Sequence, residues 1–126
     1  MTGERILVVE DNERNMKLFR DVLVATGYRT LEASSGGEAV ELATEHAPDL
    51  VLMDIQLPDL GGVQALGWLR ANDRTASIPV LALTAQAMDG DRERFLAAGF
   101  DGYLSKPVNV RELIDTVRLH CDGGAR

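Results

Sequence analysis

The chain has 126 residues, 45% of them hydrophobic, which is enough for one globular domain around a single core. Its 13 basic and 20 acidic residues leave a net charge of −7, which argues against a surface made for nucleic acid or anionic lipid. The one cysteine, Cys121, allows no intrachain disulfide and suits a reducing compartment, and no apolar run reaches the roughly 18 residues of a membrane span. Met1 to Arg5 lacks the charged start and apolar stretch of a signal peptide, so the expected location is the cytoplasm.

The first strand is predicted at Ile6 to Val9, an aliphatic run apolar at every position and so buried on both faces. A helix is read over about Glu13 to Thr26 and stopped by Gly27, followed by a weaker strand at Arg29 to Ala33. Ser35 with Glu38 three residues on resembles a capping box opening a helix that carries Ala39, Val40 and Ala43. A second both-faces-buried strand follows at Leu50 to Met53, then a helix over Gly62 to Ala71, a third such strand at Ile78 to Leu83 and a helix over Asp89 to Ala98. Gly99 and Gly102 punctuate the approach to a short strand at Tyr103 and Leu104. Asn109 with Glu112 after Pro107 opens the last helix, whose buried face is read as Val110, Leu113, Ile114, Val117 and Cys121.

Strands alternating five times with helices predict an α/β fold: an open, doubly wound, five-stranded parallel sheet in the flavodoxin-like order 2-1-3-4-5. No repeat, linker or low-complexity segment interrupts it, so one domain spanning 1–126 without an output module is expected. In this strand order ligands bind beyond the carboxyl ends of the first and third strands. The first strand ends in Glu10 and Asp11 and the third in Asp54, so three carboxylates converge on that crevice. Their mutual repulsion calls for a cation, and a hard, oxygen-seeking Mg²⁺ fits better than an all-protein Ca²⁺ cage. The plain alternative is that strand-end acids are solvated or cap the next helix. Thr84 at the end of the fourth strand and Lys106 after the fifth reach the same rim. A phosphoryl group on Asp54 would need the charge and donors that Mg²⁺, the Lys106 ammonium and the Thr84 hydroxyl supply.

From Arg5 to about His120 the chain resembles the receiver domain of bacterial response regulators. The resemblance rests on Val9-Glu10-Asp11-Asn12, Met53-Asp54-Ile55-Gln56-Leu57-Pro58, Gly62, Ala82-Leu83-Thr84-Ala85, Ala98-Gly99 and Gly102-Tyr103-Leu104-Ser105-Lys106-Pro107. It implies that Asp54 is the phosphoacceptor in a two-component phosphorelay, fed by a sensor histidine kinase or a histidine phosphotransfer protein. It implies Mg²⁺ on Glu10, Asp11, Asp54 and the Gln56 main-chain carbonyl. It further implies that Thr84 and Lys106 contact the phosphoryl group and that Tyr103 swings inward when Thr84 is drawn to it. The output would be a protein target read by the face of the fourth helix, fifth strand and fifth helix, from a monomer or weak dimer rather than from an enzyme. One departure is Gly61, where relatives often carry an aspartate.

Two other readings compete. A haloacid-dehalogenase-type phosphatase also uses Mg²⁺ and a strand-end aspartate, but wants a second acid two residues on, where this chain has Gln56, and a cap domain that 126 residues do not accommodate. A phosphorylation-independent adaptor would have no use for the complete acidic set. Neither G-x-G-x-x-G nor G-x-x-x-x-G-K-[ST] occurs. His46 and His120 read as surface residues, and Met88, Phe95 and Leu96 as core, with Met88 alternatively open to a partner. Trp68 points to solvent if Leu66 and Leu69 face the sheet, either as a contact residue or folded over its own helix beside Gly67. The initiating Met1 and short tail favour a stand-alone regulator over a receiver excised from a hybrid kinase, and the stretch Ala85 to Met88 followed by Gly90-Asp91-Arg92 resembles both.

Overall fold

The computed structural model describes residues 3–57, 59, 61–85 and 91–121. Strands β1 (Arg5–Val9), β2 (Arg29–Ala33), β3 (Leu50–Asp54), β4 (Val80–Thr84) and β5 (Gly102–Ser105) alternate with helices α1 (Glu13–Ala25), α2 (Gly36–His46), α3 (Gly62–Arg70), α4 (Asp91–Ala98) and α5 (Val110–Cys121). All strands pair in parallel, in the order β2-β1-β3-β4-β5. The expected architecture and strand order are therefore those observed. Among the described residues no helix is long and apolar enough to cross a membrane.

β1, β3 and β4 are buried nearly throughout, because helices cover both faces. Ile6, Val8, Leu50, Leu52, Leu81 and Leu83 pack with Phe19 and Leu23 of α1 and Leu113 and Val117 of α5. The alternate residues Leu7, Val9, Val51, Met53, Val80 and Ala82 pack with α2, α3 and Phe95 of α4. A period of two along each strand thus divides one aliphatic run between two cores.

The helix ends follow from local chemistry. Asn12 accepts the Asn15 N–H at 3.0 Å and caps α1, so Asp11 is not its N-cap. Ser35 Oγ accepts the Glu38 N–H at 3.2 Å, but the Glu38 carboxylate returns to the N–H of Ser34 at 2.9 Å, one residue before the cap, rather than closing the expected box. Asn109 accepts the Glu112 N–H at 3.0 Å. Gly27 (φ 106°) and Gly99 (φ 113°) leave α1 and α4 through the left-handed region, where a Cβ is strained.

Several expectations need correction. β4 begins at Val80, since Pro79 has no N–H for the ladder and contributes only its carbonyl, to Val51 N at 3.0 Å. On α5, Leu113 and Val117 are buried, Ile114 and Cys121 half-buried, and Val110, the first residue of the helix, is 46% exposed. Leu96 is 42% exposed while Phe95 is buried, since adjacent helical residues lie 100° apart and only one can face the core. Trp68, by contrast, lies where its helical spacing predicts: it is 58% exposed while Leu66 and Leu69 are buried. The start expected for α4 at Asp89, the readings of Gln86 to Met88 and of Gly90, and Pro58 and Leu60 lie outside the described residues.

Candidate functional site

Strand register places the acidic residues. Val9 lies beside Met53, so Glu10, the next residue, comes level with Asp54, while Thr84 closes β4 next to Ser105 and just before Lys106. The fold thereby gathers Glu10, Asp11, Asp54, Gln56, Thr84 and Lys106 around one cleft of about 340 Å³. Glu10, Asp54 and Thr84 are buried, and Asp11 is exposed at the mouth.

Lys106 is the hub. Its Nζ donates to Asp54 Oδ2 at 2.9 Å and lies 2.8 Å from Glu10 Oε1, with only 18% of the side chain exposed. The sequence brought Lys106 to the rim that carries Asp54 but gave no sign of the contact to Glu10. The Lys106 N–H also donates to Thr84 O at 2.7 Å, and the Lys106–Pro107 peptide is cis. The remaining carboxylate oxygens take main-chain donors: Asp54 Oδ1 accepts from Gln56 N at 3.0 Å and Glu10 Oε2 from Asn12 N at 3.2 Å.

Burial raises the affinity of Glu10 for a proton. The Lys106 contact opposes this, Asp54 adds to it, and the net shift is upward. Burial alone would lower the Lys106 value, but its contacts with Glu10 and Asp54 outweigh that and hold it above the ordinary range. One ammonium therefore touches two carboxylates of a three-carboxylate group.

That group suits a hard cation. Glu10, Asp11 and Asp54 offer carboxylate oxygens that all lie within 4.8 Å of one another, and buried Glu10 Oε1 has its charge contact with Lys106 but no hydrogen bond of good geometry. An all-oxygen donor set with an open side matches Mg²⁺.

Tyr103 is not in this cleft. It is half-buried on β5 and borders a separate hollow with Leu96, Thr116, Leu119 and His120. Phe95 connects the two places: it lines the cleft, and its ring centroid is 5.7 Å from that of Tyr103. Sequence reasoning treated Phe95 as core only and did not single out Asn15 or Arg94, which also line the cleft. Asn15 was accessible to reading, since the first turn of α1 must rise from the strand end that carries Asp11. Arg94, whose guanidinium lies 5.3 Å from the Phe95 ring centroid, gave no such signal.

The comparisons agree with this geometry. The family model for the response regulator receiver domain matches residues 6–118. The polar-differentiation response regulator DivK of Brucella anthropi is 50% identical over 115 residues, covering 91% of this chain and 94% of that protein. The receiver domain of a Pseudomonas aeruginosa sensor histidine kinase, solved with a magnesium ion coordinated in its active site cleft, is 39% identical with a TM-score of 0.85, covering 93% of this chain and 96% of that one. The signal receiver domain of a Syntrophus aciditrophicus signal transduction histidine kinase is 31% identical with a TM-score of 0.87, covering 98% and 93% of the two chains. Strand order, cleft and family match converge, and the chain belongs to the response regulator receiver domain family of two-component signalling.

Proposed function

We propose that Asp54 accepts a phosphoryl group from the phosphohistidine of a sensor histidine kinase or a histidine phosphotransfer protein. The reaction uses Mg²⁺, takes place in the cytoplasm, and its product is read by a protein target. The observation that carries this reading is the environment of Asp54. Its carboxylate is buried at a strand end, oriented by the Gln56 N–H and the Lys106 ammonium, and faces a cleft shared with Thr84 and two further acids.

An Asp54 carboxylate oxygen attacks phosphorus, the P–N bond of the donor breaks, and its electron pair returns to the imidazole. The product is an acyl phosphate, with two charged oxygens where one carboxylate charge stood. Glu10, Asp11, Asp54 and the Gln56 main-chain carbonyl would hold Mg²⁺, which would supply positive charge toward those oxygens. Lys106 moves its ammonium from the Asp54 carboxylate to a phosphoryl oxygen, a short shift for a flexible point charge. The Thr84 hydroxyl donates to another oxygen and draws the end of β4 inward. Phe95 and Tyr103, packed behind, then choose between two arrangements, and the surface of α4, β5 and α5 changes with them. The chain works as a signalling domain that assists its own phosphorylation and slow dephosphorylation, as one unit over 1–126.

The test is incubation with acetyl phosphate and intact-mass spectrometry. One added phosphoryl group with Mg²⁺ and none with chelator is the expected result. Equal modification in both conditions would remove the metal from the account.

A further inference from the structure

We propose that Asp59 is a positioning residue for the metal–phosphoryl site, tying the loop after Asp54 to the start of α2 so that metal occupancy and α2 are coupled. This inference rests on the function proposed above and adds a residue and a route to it. Asp59 lies five residues after Asp54 and three after Gln56, on the loop that would supply the main-chain metal ligand. Its carboxylate spans the first turn of α2: Oδ1 accepts the Gly36 N–H at 2.8 Å and Oδ2 the Gly37 N–H at 3.0 Å. The next two N–H groups of that turn are taken locally, Glu38 N by Ser35 Oγ at 3.2 Å and Ala39 N by Ser35 O at 3.0 Å. Only the first two are given to a residue more than 20 positions away in the sequence. Gly37 leaves room for this, since a Cβ there would come within 3.2 Å of Asp59 Oδ2.

The other end of the loop is equally fixed. Gly62 N donates to Ile55 O at 2.9 Å, and a Cβ on Gly62 would lie 2.5 Å from Asp54 O, so the chain closes against the backbone of the phosphoacceptor itself. With its base clamped at Ile55 and Gly62 and Asp59 bound to α2, the Gln56 carbonyl is held between two anchors. A ligand held this way loses little freedom on binding a cation. The first turn of α2 also borders the acidic end of the sheet: Ser34 and Glu38 share a hollow with Glu10 and Asp11. By linkage, a loop that fixes the metal must transmit the presence of the metal back to α2 with the same coupling energy.

The experiment uses the full chain, with Asp59→Ala and Asp59→Asn. Phosphorylation by acetyl phosphate is followed against Mg²⁺ concentration, and backbone amide shifts are followed through a titration with Mg²⁺ alone. In Asp59→Ala the half-saturating Mg²⁺ should rise about tenfold, the low end for outer partners of metal ligands, while the rate at saturating Mg²⁺ recovers toward that of wild type. Asp59→Asn, which keeps one acceptor oxygen, should fall between the two. Mg²⁺ should shift the Gly36 and Gly37 amides in wild type and lose that effect in Asp59→Ala. A lowered melting temperature with unchanged Mg²⁺ dependence, or Gly36 and Gly37 shifts that persist in Asp59→Ala, would make Asp59 a helix cap only and overturn the inference. A wild-type chain that neither binds Mg²⁺ nor accepts phosphate would instead overturn the proposed function, and this inference with it.

Discussion

Replacing Lys106 by methionine tests how the cleft holds its charges. The ammonium lies 2.8 Å from Glu10 Oε1 and 2.9 Å from Asp54 Oδ2. At an effective dielectric of about 20 each contact corresponds to roughly 6 kcal/mol before solvation is counted. Most of this is offset by dehydrating the ammonium and both carboxylates, and removing one partner of such a buried pair costs about 3–5 kcal/mol. We place Lys106→Met at the lower end, about 3 kcal/mol, because the cleft opens to water and Glu10, whose proton affinity is already raised by burial, can take up a proton in the variant. Urea unfolding in chelator measures this loss. Mg²⁺ then reports on the same oxygens. In wild type it competes with the ammonium, whereas in the variant it meets uncompensated carboxylates, so saturating Mg²⁺ should stabilise Lys106→Met more than wild type. At a concentration about 100 times the dissociation constant the contribution is about 2.7 kcal/mol, close to the loss itself. A deficit under about 0.5 kcal/mol in chelator, or equal stabilisation of both proteins by Mg²⁺, would show that the Lys106 ammonium does not hold the cleft's carboxylates together.

Gly62→Ala should destabilise by about 2–4 kcal/mol and slow phosphorylation, since its Cβ would lie 2.5 Å from Asp54 O and 2.9 Å from Ile55 Cα and only backbone movement relieves the overlap; denaturant midpoints check it. In metal-free protein Glu10→Gln should gain on wild type as pH rises. A folded-state value raised above the ordinary glutamate range of about 4.3 makes the charged form a liability, absent below that range and complete once pH passes the raised value; a difference that does not change with pH would contradict the burial argument. Thr84→Ala should accept phosphate yet transmit it poorly. Beryllofluoride should move amide resonances at Phe95 and Tyr103 in wild type and far less in the variant, and equal shifts in both would separate Thr84 from the switch.

The sheet was legible because β1, β3 and β4 carry the unbroken apolar runs Ile6 to Val9, Leu50 to Met53 and Val80 to Leu83, the pattern of strands covered on both faces. The cleft was legible for a related reason: parallel strands end at one edge, so the acids after Val9 and Met53 had to meet once the strand order was assigned. Contacts between exposed segments were not legible. Asp59 reads as an ordinary loop aspartate, and nothing in its neighbours points to Gly36 and Gly37. Arg70 reads as a helix-terminal cation, yet its guanidinium donates to the carbonyls of Ala76, Ile78 and Gly99 and pairs with Asp101 at 2.9 Å, joining the connection before β4 to the one before β5. Hydrophobic period identified the buried stripe of α5 but not its extent, because the period fixes the side a residue lies on and not whether that side is covered at the helix end, where Val110 is exposed.

The central claim is that one carboxylate, Asp54, receives the phosphoryl group. Reductive trapping of the acyl phosphate followed by peptide mapping, on wild type and Asp54→Asn treated alike with Mg²⁺ and acetyl phosphate, tests it most directly. Label is expected on the peptide containing Asp54 in wild type and nowhere in the variant. Label on another residue in wild type, or undiminished labelling of Asp54→Asn, would contradict it.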